Sequence, residues 1–351
     1  MIDFYPVQVS KINKETEDSV VLHLSIPQEH KEEFTFHPGQ HLTFKVNING
    51  EELRRCYSIC SSPQESELQV GIKAIQDGRF SNFALNELKE GDVLEVMSPQ
   101  GQFGFTPAKE SAKQYLGIAV GSGITPILSM VKASLEQEPE SSFTLLYGNR
   151  SVSSMMFRQE LLDLKNTYPN RFHLNTFFSR EDNEVGLWNG RLDENKLREL
   201  SEQIFNWAEF DACYVCGPEE LLDACKDILV ESGLDADKYH VERFNTVTKR
   251  KDKPANQSEH TKVTVKRDGR VMNIDMTSQD DSLLDAALRQ GVDLPYACKG
   301  GVCATCICKV KRGEVDMGVN YSLEADQIEN GYVLSCQAVP TTHEVEIDFD
   351  V

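Results

Sequence analysis

Positive charge is scarce in this 351-residue chain: 36 lysines and arginines stand against 56 aspartates and glutamates, a formal net charge of −20. That balance repels nucleic-acid phosphates and anionic membrane surfaces, and leaves basic proteins as the partners that charge favours. Long apolar runs are missing too. The longest uncharged apolar stretch, Tyr115 to Val131, is broken by Gly121, Gly123 and Pro126, so no segment reads as a membrane span. The opening residues, MIDFYPVQVSKINKETED, carry charges where a secretory signal needs its apolar heart. There is no low-complexity tract, internal repeat or recognisable DNA-binding segment. What remains is ordinary for folded protein, 40% hydrophobic and 26% charged, in a chain long enough for about two to three domains.

Cysteines are few outside one short stretch. Of the ten, four fall between Cys298 and Cys308, Cys336 follows, and the rest are scattered singly. That distribution favours metal binding in a reducing compartment over a disulfide framework, so a cytoplasmic location is expected.

Residues 1–110 alternate short β-rich runs (VVLHLSIP, HLTFKVNI, ELQVGIKAI, DVLEVMSP) with turn signals such as Pro38-Gly39 and Asn49-Gly50. Short strands at that spacing predict an antiparallel barrel or sandwich. One helical patch, SNFALNELKEG, is expected to end at Gly91. Over residues 111–245, apolar strands alternate with helical patterns, from YLGIAV and ILSMVKASLEQ through DACYVCG and EELLDACKDILVESG to a last strand, YHVERF. This is the rhythm of a doubly wound parallel sheet. Residues 246–260 are polar and read as a linker. Residues 261–351 resume with two alternating runs around Asp268-Gly269, a hairpin signal, then a helix SLLDAALRQ with Gly291 at its C-cap. The final run, HEVEIDFDV, sets Val345, Ile347, Phe349 and Val351 on one side and acids on the other.

Cys298, Cys303 and Cys306 have the spacing C-x4-C-x2-C, and Cys336 lies 30 positions after Cys306. This is the plant-type [2Fe-2S] pattern. Two irons bridged by two sulfides need four thiolates, three of which one tight loop can present. Gly300, Gly301 and Ala304 are small enough to let backbone N–H groups approach the sulfurs. Cys308 starts an apparent strand and is expected to be a core side chain. A four-cysteine zinc site or unliganded core thiols are the alternatives, but zinc usually pairs cysteines as two C-x2-C units, which the x4 gap fits poorly.

Further motifs lie upstream. RCYSICSSP (Arg55 to Pro63) and IKAIQDGRFSNFAL, GSGITP after the strand YLGIAV, VCGP (Val215 to Pro218) and ERF (Glu242 to Phe244) are each weak alone. GSGITP is not the full G-x-G-x-x-G fingerprint, because Pro126 replaces a third glycine. In this order they resemble the ferredoxin-NADP reductase superfamily with a C-terminal plant-type ferredoxin domain. That resemblance implies an antiparallel β-barrel flavin domain, a doubly wound α/β nicotinamide domain and a β-grasp ferredoxin-like domain. It implies an FAD site at Arg55, Tyr57, Ser58, Lys73, Gly78, Arg79, Phe80 and Ser81. For the nicotinamide cofactor it implies Gly121, Gly123, Thr125, Pro126, Cys216, Gly217 and Pro218, with Phe244 near the flavin and Glu242 helping with protons. Ser58, Cys216 and Glu242 would stand nearest the chemistry, and the metal ligands would be Cys298, Cys303, Cys306 and Cys336.

Arg150, Ser179 and Arg180 resemble the superfamily's 2′-phosphate pocket, and arginine suits a phosphate dianion. NADPH is therefore expected, with NADH possible. Within the superfamily the sequence resembles the reductases of the phenylacetyl-CoA epoxidase (oxygenase) family, notably in RRCYSICSSP, GDVLEVMSPQGQFGF and YACKGGVCATC. An electron-transfer flavoprotein reducing a di-iron oxygenase is the implied function. A steroid or ring-hydroxylating oxygenase, a hybrid-cluster protein, or a role as a redox sensor are the alternatives. From Thr261 to Val351 nine bases face fifteen acids, which predicts an acidic docking face for the acceptor.

Overall fold

The structure, a computed structural model, describes residues 4–182, 185–244 and 260–350. It forms two compact units, one carrying the first two sheets and the other the C-terminal sheet. The expected linker lies outside the described residues except for His260, which already begins a strand.

The first sheet is built from β1 (Phe4–Thr16), β2 (Ser19–Ser25), β3 (His41–Ile48), β4 (Glu51–Ser58), β5 (Leu68–Lys73) and, after helix α1 (Arg79–Asn86), β6 (Val93–Met97). Its order is β4-β3-β6-β1-β2-β5, and a bridge between Ile59 and Val70 joins the residue after β4 to β5, closing a barrel. Val7, Leu22, Phe44, Val70 and Phe80 fill the interior. β1 is not obvious in the sequence: its alternation buries Val7 and Val9, then breaks at an irregularity in register between Val9 and Lys11. Helix α1 stops earlier than expected. The amides of Glu87 and Leu88 both donate to Phe83 O, at 2.9 and 3.0 Å, closing the helix at Asn86. Gly91 lies beyond, at φ +94°, where its N–H meets Val9 O.

The second sheet alternates strand and helix: β7 (Gln114–Val120), α2 (Ile124–Gln137), β8 (Ser142–Asn149), α3 (Arg158–Thr167), β9 (Phe172–Phe178), α4 (Glu194–Gln203), β10 (Ala212–Cys216), α5 (Glu219–Glu231) and β11 (Tyr239–Glu242). All pairings are parallel, in the order β11-β10-β7-β8-β9. Along β7, Tyr115 and Ala119 join the core shared with α2 and α3, while Leu116 and Ile118 join that of α4 and α5. Covering both faces explains strands that are apolar throughout. The chain reverses its winding between β7 and β10, and in such sheets ligands bind beyond the strand C-termini at that point.

The C-terminal unit holds β12 (His260–Arg267), β13 (Arg270–Thr277), α6 (Leu283–Arg289), β14 (Ile307–Arg312), β15 (Val315–Met317), α7 (Ala325–Glu329), β16 (Tyr332–Leu334), β17 (Ala338–Pro340) and β18 (Glu344–Asp348). Its mixed sheet runs β13-β12-β18-β14-β16, with β12 and β18 parallel, and β15 pairs with β17 apart from it. The β12–β13 turn places Asp268 at φ 52° and Gly269 at φ 70°, the positive pair a two-residue hairpin needs. Val345 and Ile347 are buried against α6 residues Leu283, Leu284 and Ala287. Cys308 is fully buried in this core, and burial pushes its thiol well above the ordinary range.

Candidate functional site

On the barrel, pleating of β4 sends Arg55 and Tyr57 to one side and Ser58, which is buried, to the other. The Tyr57 ring lies 5.3 Å from that of Phe80, tilted by 34°, and 6.0 Å from that of Phe44. Phe80 belongs to the first turn of α1, after its N-cap Gly78. The two segments singled out in the sequence therefore meet through an aromatic pair. The Arg79 guanidinium is committed to the β3–β4 hairpin, bonded to Glu51 and to Ile48 O at 2.8 Å. Ser81 Oγ donates to Gly78 O and accepts from Ile75 N, pinning the turn. Lys73 Nζ pairs with Asp18 at 3.3 Å and donates to Ser154 O. Arg55 is exposed and donates to the carbonyl of its neighbour Arg54 at 2.7 Å.

At the reversal of the parallel sheet, the turn after β7 and the end of β10 touch through bare backbone. A Cβ on Gly123 would stand 2.1 Å from Cys216 O, and Gly121 holds φ +58°. The buried Tyr147 hydroxyl donates to Gly121 O at 3.1 Å. Thr125 Oγ1 donates to Ser122 O at 3.0 Å, and its methyl would lie 2.8 Å from a Cβ built on Gly71 of the barrel. Pro126 sits in the first turn of α2, where a missing N–H breaks no helical bond. Cys216 is in register with Ala119 on one side and Glu242 on the other. It has no exposed surface, and burial, with the charge of Glu242 adding, drives its thiol far up. Gly217 and Pro218 follow as the entry to α5, Glu242 is half-buried, and Phe244 is 41% exposed.

Arg150, Ser179 and Arg180 are brought together at the C-terminal ends of β8 and β9. The parallel ladder continues past both strands, with Ser179 N donating to Asn149 O at 3.0 Å and Arg180 N to Arg150 O at 2.9 Å.

The sequence reading missed a buried ionic cluster joining barrel and α/β layers. Lys132 of α2, its side chain 5% exposed, pairs with Glu65 at 2.9 Å and with Glu160 of α3. Burial alone would lower the Lys132 pKa; Glu160 and Glu65 outweigh it and raise it. Nearby, Ser129 Oγ donates to Ser61 O at 2.7 Å, and Phe157 N to Glu15 Oε1 at 2.7 Å. Burial raises the Glu15 carboxyl; the Phe157 bond opposes this and Glu160 reinforces it. The available signal was a lone lysine in the otherwise uncharged run ILSMVKAS.

In the C-terminal unit each of the four expected ligands lies near another of them. The Cys298 thiol neighbours that of Cys303, which also neighbours Cys56, and the Cys306 thiol neighbours that of Cys336. Gly300 N donates to Cys298 Sγ at 3.3 Å, and the amide of Val302 also bonds this sulfur. Lys299, Gly301 and Ala304 take φ of 55°, 78° and 51°, a curled loop that turns amides inward. Cys303, Cys306 and Cys336 are buried and Cys298 half-buried. No three Cys, His, Asp or Glu side chains among the described residues stand close enough to hold one metal ion. Four gathered thiols with amides directed at sulfur fit a [2Fe-2S] cluster, which Cys298, Cys303, Cys306 and Cys336 would hold.

Three family models match in tandem. They are described as an oxidoreductase FAD-binding domain over residues 6–105, an oxidoreductase NAD-binding domain over 118–227, and a 2Fe-2S iron-sulfur cluster binding domain over 265–341. The chain is 50% identical to the E component of 1,2-phenylacetyl-CoA epoxidase from Escherichia coli K12, over 100% of this chain and 99% of that one. It belongs to the phenylacetyl-CoA epoxidase E-component family. As a member of that family it is an NAD(P)H-dependent oxidoreductase with FAD-binding, NAD-binding and 2Fe-2S domains. It is also 31% identical to the ferredoxin reductase component of 3-ketosteroid-9-alpha-monooxygenase from Rhodococcus rhodochrous, over 97% of this chain and 95% of that one. Phthalate dioxygenase reductase shares the fold from end to end, with a TM-score of 0.58 at 24% identity over 99% and 98% of the two chains. No helix among the described residues is long and apolar enough to cross a membrane.

Proposed function

We propose that the chain takes electrons from NADPH and delivers them, through FAD and a [2Fe-2S] cluster, to the di-iron oxygenase of a phenylacetyl-CoA epoxidase. The observation that carries this reading is the end-to-end match, at 50% identity, to the E component of the Escherichia coli epoxidase. The domains are read as 1–110 for FAD, 111–245 for the nicotinamide cofactor, 246–260 as linker and 261–351 for the cluster.

FAD supplies acceptance of a hydride's two electrons and the cluster their onward transfer one at a time; the protein binds, orients and shields. The Arg55 fork grips the FAD pyrophosphate, with Lys73 and the backbone amides from Gly78 to Ser81 completing the anion site. Tyr57 offers its face to the flavin ring and Ser58 its hydroxyl to the N5 edge. Arg79, engaged with Glu51, contributes through its amide rather than its charge. Gly121, Gly123, Thr125 and Pro126 form the turn over which the nicotinamide diphosphate lies, at the N-terminus of α2. Cys216, Gly217 and Pro218 flank the ring. A buried thiol with a raised pKa is neutral, so Cys216 contributes shape and is no nucleophile. Glu242 would hold or release the proton that accompanies flavin reduction, and Phe244 would lie near the flavin. Arg150, Ser179 and Arg180 receive a 2′-phosphate, which is why NADPH is preferred over NADH.

Cys298, Cys303, Cys306 and Cys336 are the cluster ligands. The acceptor docks at the acidic C-terminal domain through a basic surface of its own. A cytoplasmic setting suits ten cysteines that form no disulfide among the described residues. The Rhodococcus match keeps a different oxygenase as the second reading of the acceptor.

Anaerobic NADPH titration, followed by visible absorption and electron paramagnetic resonance, tests the chain of carriers. Flavin bleaching joined by a reduced [2Fe-2S] signal that Cys336→Ser abolishes is the expected result. Bleaching without a cluster signal defeats the reading. With the purified oxygenase, NADPH oxidation should accelerate only when phenylacetyl-CoA is present; acceleration with a steroid or ring-hydroxylating partner instead transfers the assignment to that acceptor.

A further inference from the structure

We propose that Gln337 tunes the reduction potential of the cluster from the Cys336 side, an inference that rests on the reading of the four cysteines as [2Fe-2S] ligands. Gln337 follows Cys336 directly and precedes β17, and it is 4% exposed, rare burial for an amide side chain. Its Nε2 donates to Lys299 O at 3.0 Å and lies 3.8 Å from Cys336 Sγ, within reach of a sulfur acceptor. Its Oε1 accepts from Val319 N at 3.4 Å. Backbone bonds from Gln337 N to Leu334 O at 2.8 Å and from Gly318 N to Gln337 O at 3.0 Å fix the main chain on both sides.

One side chain thus spans the loop that bears Cys298 and the separate segment that bears Cys336. It also packs beside Gly301, where an added Cβ would meet Gln337 Cγ at 3.4 Å and Val319 O at 2.6 Å. A hydrophobic residue of the same length would fill that space, so packing does not account for an amide.

A donor aimed at a ligating sulfur favours the state with more negative charge. When one electron arrives from reduced FAD, no covalent bond forms or breaks and no proton is required; the added charge is shared with the cysteine sulfurs. The Gln337 N–H is already in place to stabilise it at Cys336. The second bond to Lys299 O holds the amide in the orientation that presents N–H, and not C=O, to the sulfur. Removing the donor while keeping the volume therefore makes the cluster harder to reduce.

The test uses full-length protein in two variants, Gln337→Met, which is apolar and of similar length, and Gln337→Glu, which keeps the acceptor for Val319 N but loses the donor. Iron and acid-labile sulfide content and the midpoint of a potentiometric titration, read by electron paramagnetic resonance, are measured for each. In Gln337→Met the reduction equilibrium is expected to shift about tenfold against the electron, about 59 mV lower for a one-electron couple. In Gln337→Glu at pH 8 the midpoint should fall further. Wild-type midpoints in both variants, with cluster content intact, overturn the proposal. Loss of the cluster from both also overturns it, because the amide would then be holding the loop rather than biasing the electron. Absence of iron and sulfide from the wild-type protein is a separate outcome that defeats the cluster reading itself.

Discussion

Lys132→Met is the most informative single change outside the cofactor sites. In the native protein one ammonium, 5% exposed, faces the carboxylates of Glu65 and Glu160, whose side chains are 29% and 39% exposed. Removing one partner of a buried pair typically costs about 3–5 kcal/mol, because the charge left behind is uncompensated. Both carboxylates here keep some water, so the lower end applies, about 3 kcal/mol, or roughly a 6–12 °C fall in melting temperature for a unit of this size. The assay is thermal and urea unfolding of the holoprotein, followed by release of flavin fluorescence.

The pH dependence sharpens the test. A cation whose pKa is raised on folding gives stability that is complete below its unfolded value, ordinarily 10.5, and lost as pH climbs through the folded value. The penalty of the substitution should therefore be flat from pH 7 to 9 and shrink only above about 10.5. Lys132→Met combined with Glu65→Gln and Glu160→Gln should recover most of the loss, since a neutral trio has no charge to strand. A Lys132→Met protein within about 1 kcal/mol of wild type, or a penalty that varies between pH 7 and 9, would refute the reasoning.

Other expectations can be checked with the same preparations. Gly123→Ala drives a Cβ into Cys216 O; it should cost about 1–3 kcal/mol and depress NADPH-dependent flavin reduction more than flavin binding, measured by stopped-flow absorbance. Arg180→Ala should reduce kcat/KM for NADPH at least about tenfold, some 1.4 kcal/mol, and leave NADH nearly untouched; equal losses for both would remove the 2′-phosphate assignment. Raising salt from about 50 to 500 mM should slow electron delivery to the oxygenase while leaving flavin reduction by NADPH unaffected, and salt-independent delivery would exclude electrostatic docking.

Much of the fold was legible because its elements obey simple periods. HLTFKVNI and FHLNTFF coincide with β3 and β9 residue for residue, since β-branched and aromatic runs bounded by turn signals have few other uses. β1 escaped notice because only Val7 and Val9 keep a clean alternation, and the remaining residues gain their place from pairing with β2 and β6. The short strands β15, β16 and β17 were equally silent; three residues carry no period, and tertiary contacts decide them. At the candidate sites, spacing pointed to the four cysteines directly, yet the amides that face Cys298 Sγ are a property of the folded loop. Lys132, Glu65 and Glu160 could not be linked in advance, because nothing local in the sequence relates a loop of the barrel to two helices of the next layer.

The order β11-β10-β7-β8-β9 has a further consequence. From β10, where Cys216 touches Gly123 through backbone alone, to β9, where Ser179 and Arg180 project, there are three strand spacings, about 14 Å. The residues at the reversal are constrained by main-chain contact and have almost no freedom to vary. Those at the β8–β9 margin are exposed side chains on a continuing ladder, replaceable without moving a strand. On the proposed assignment, selectivity for one nucleotide over another would be separated in space from the machinery of transfer. Such a scaffold can exchange its fuel in the course of evolution, or at an engineer's hand, while its chemistry stays unaltered.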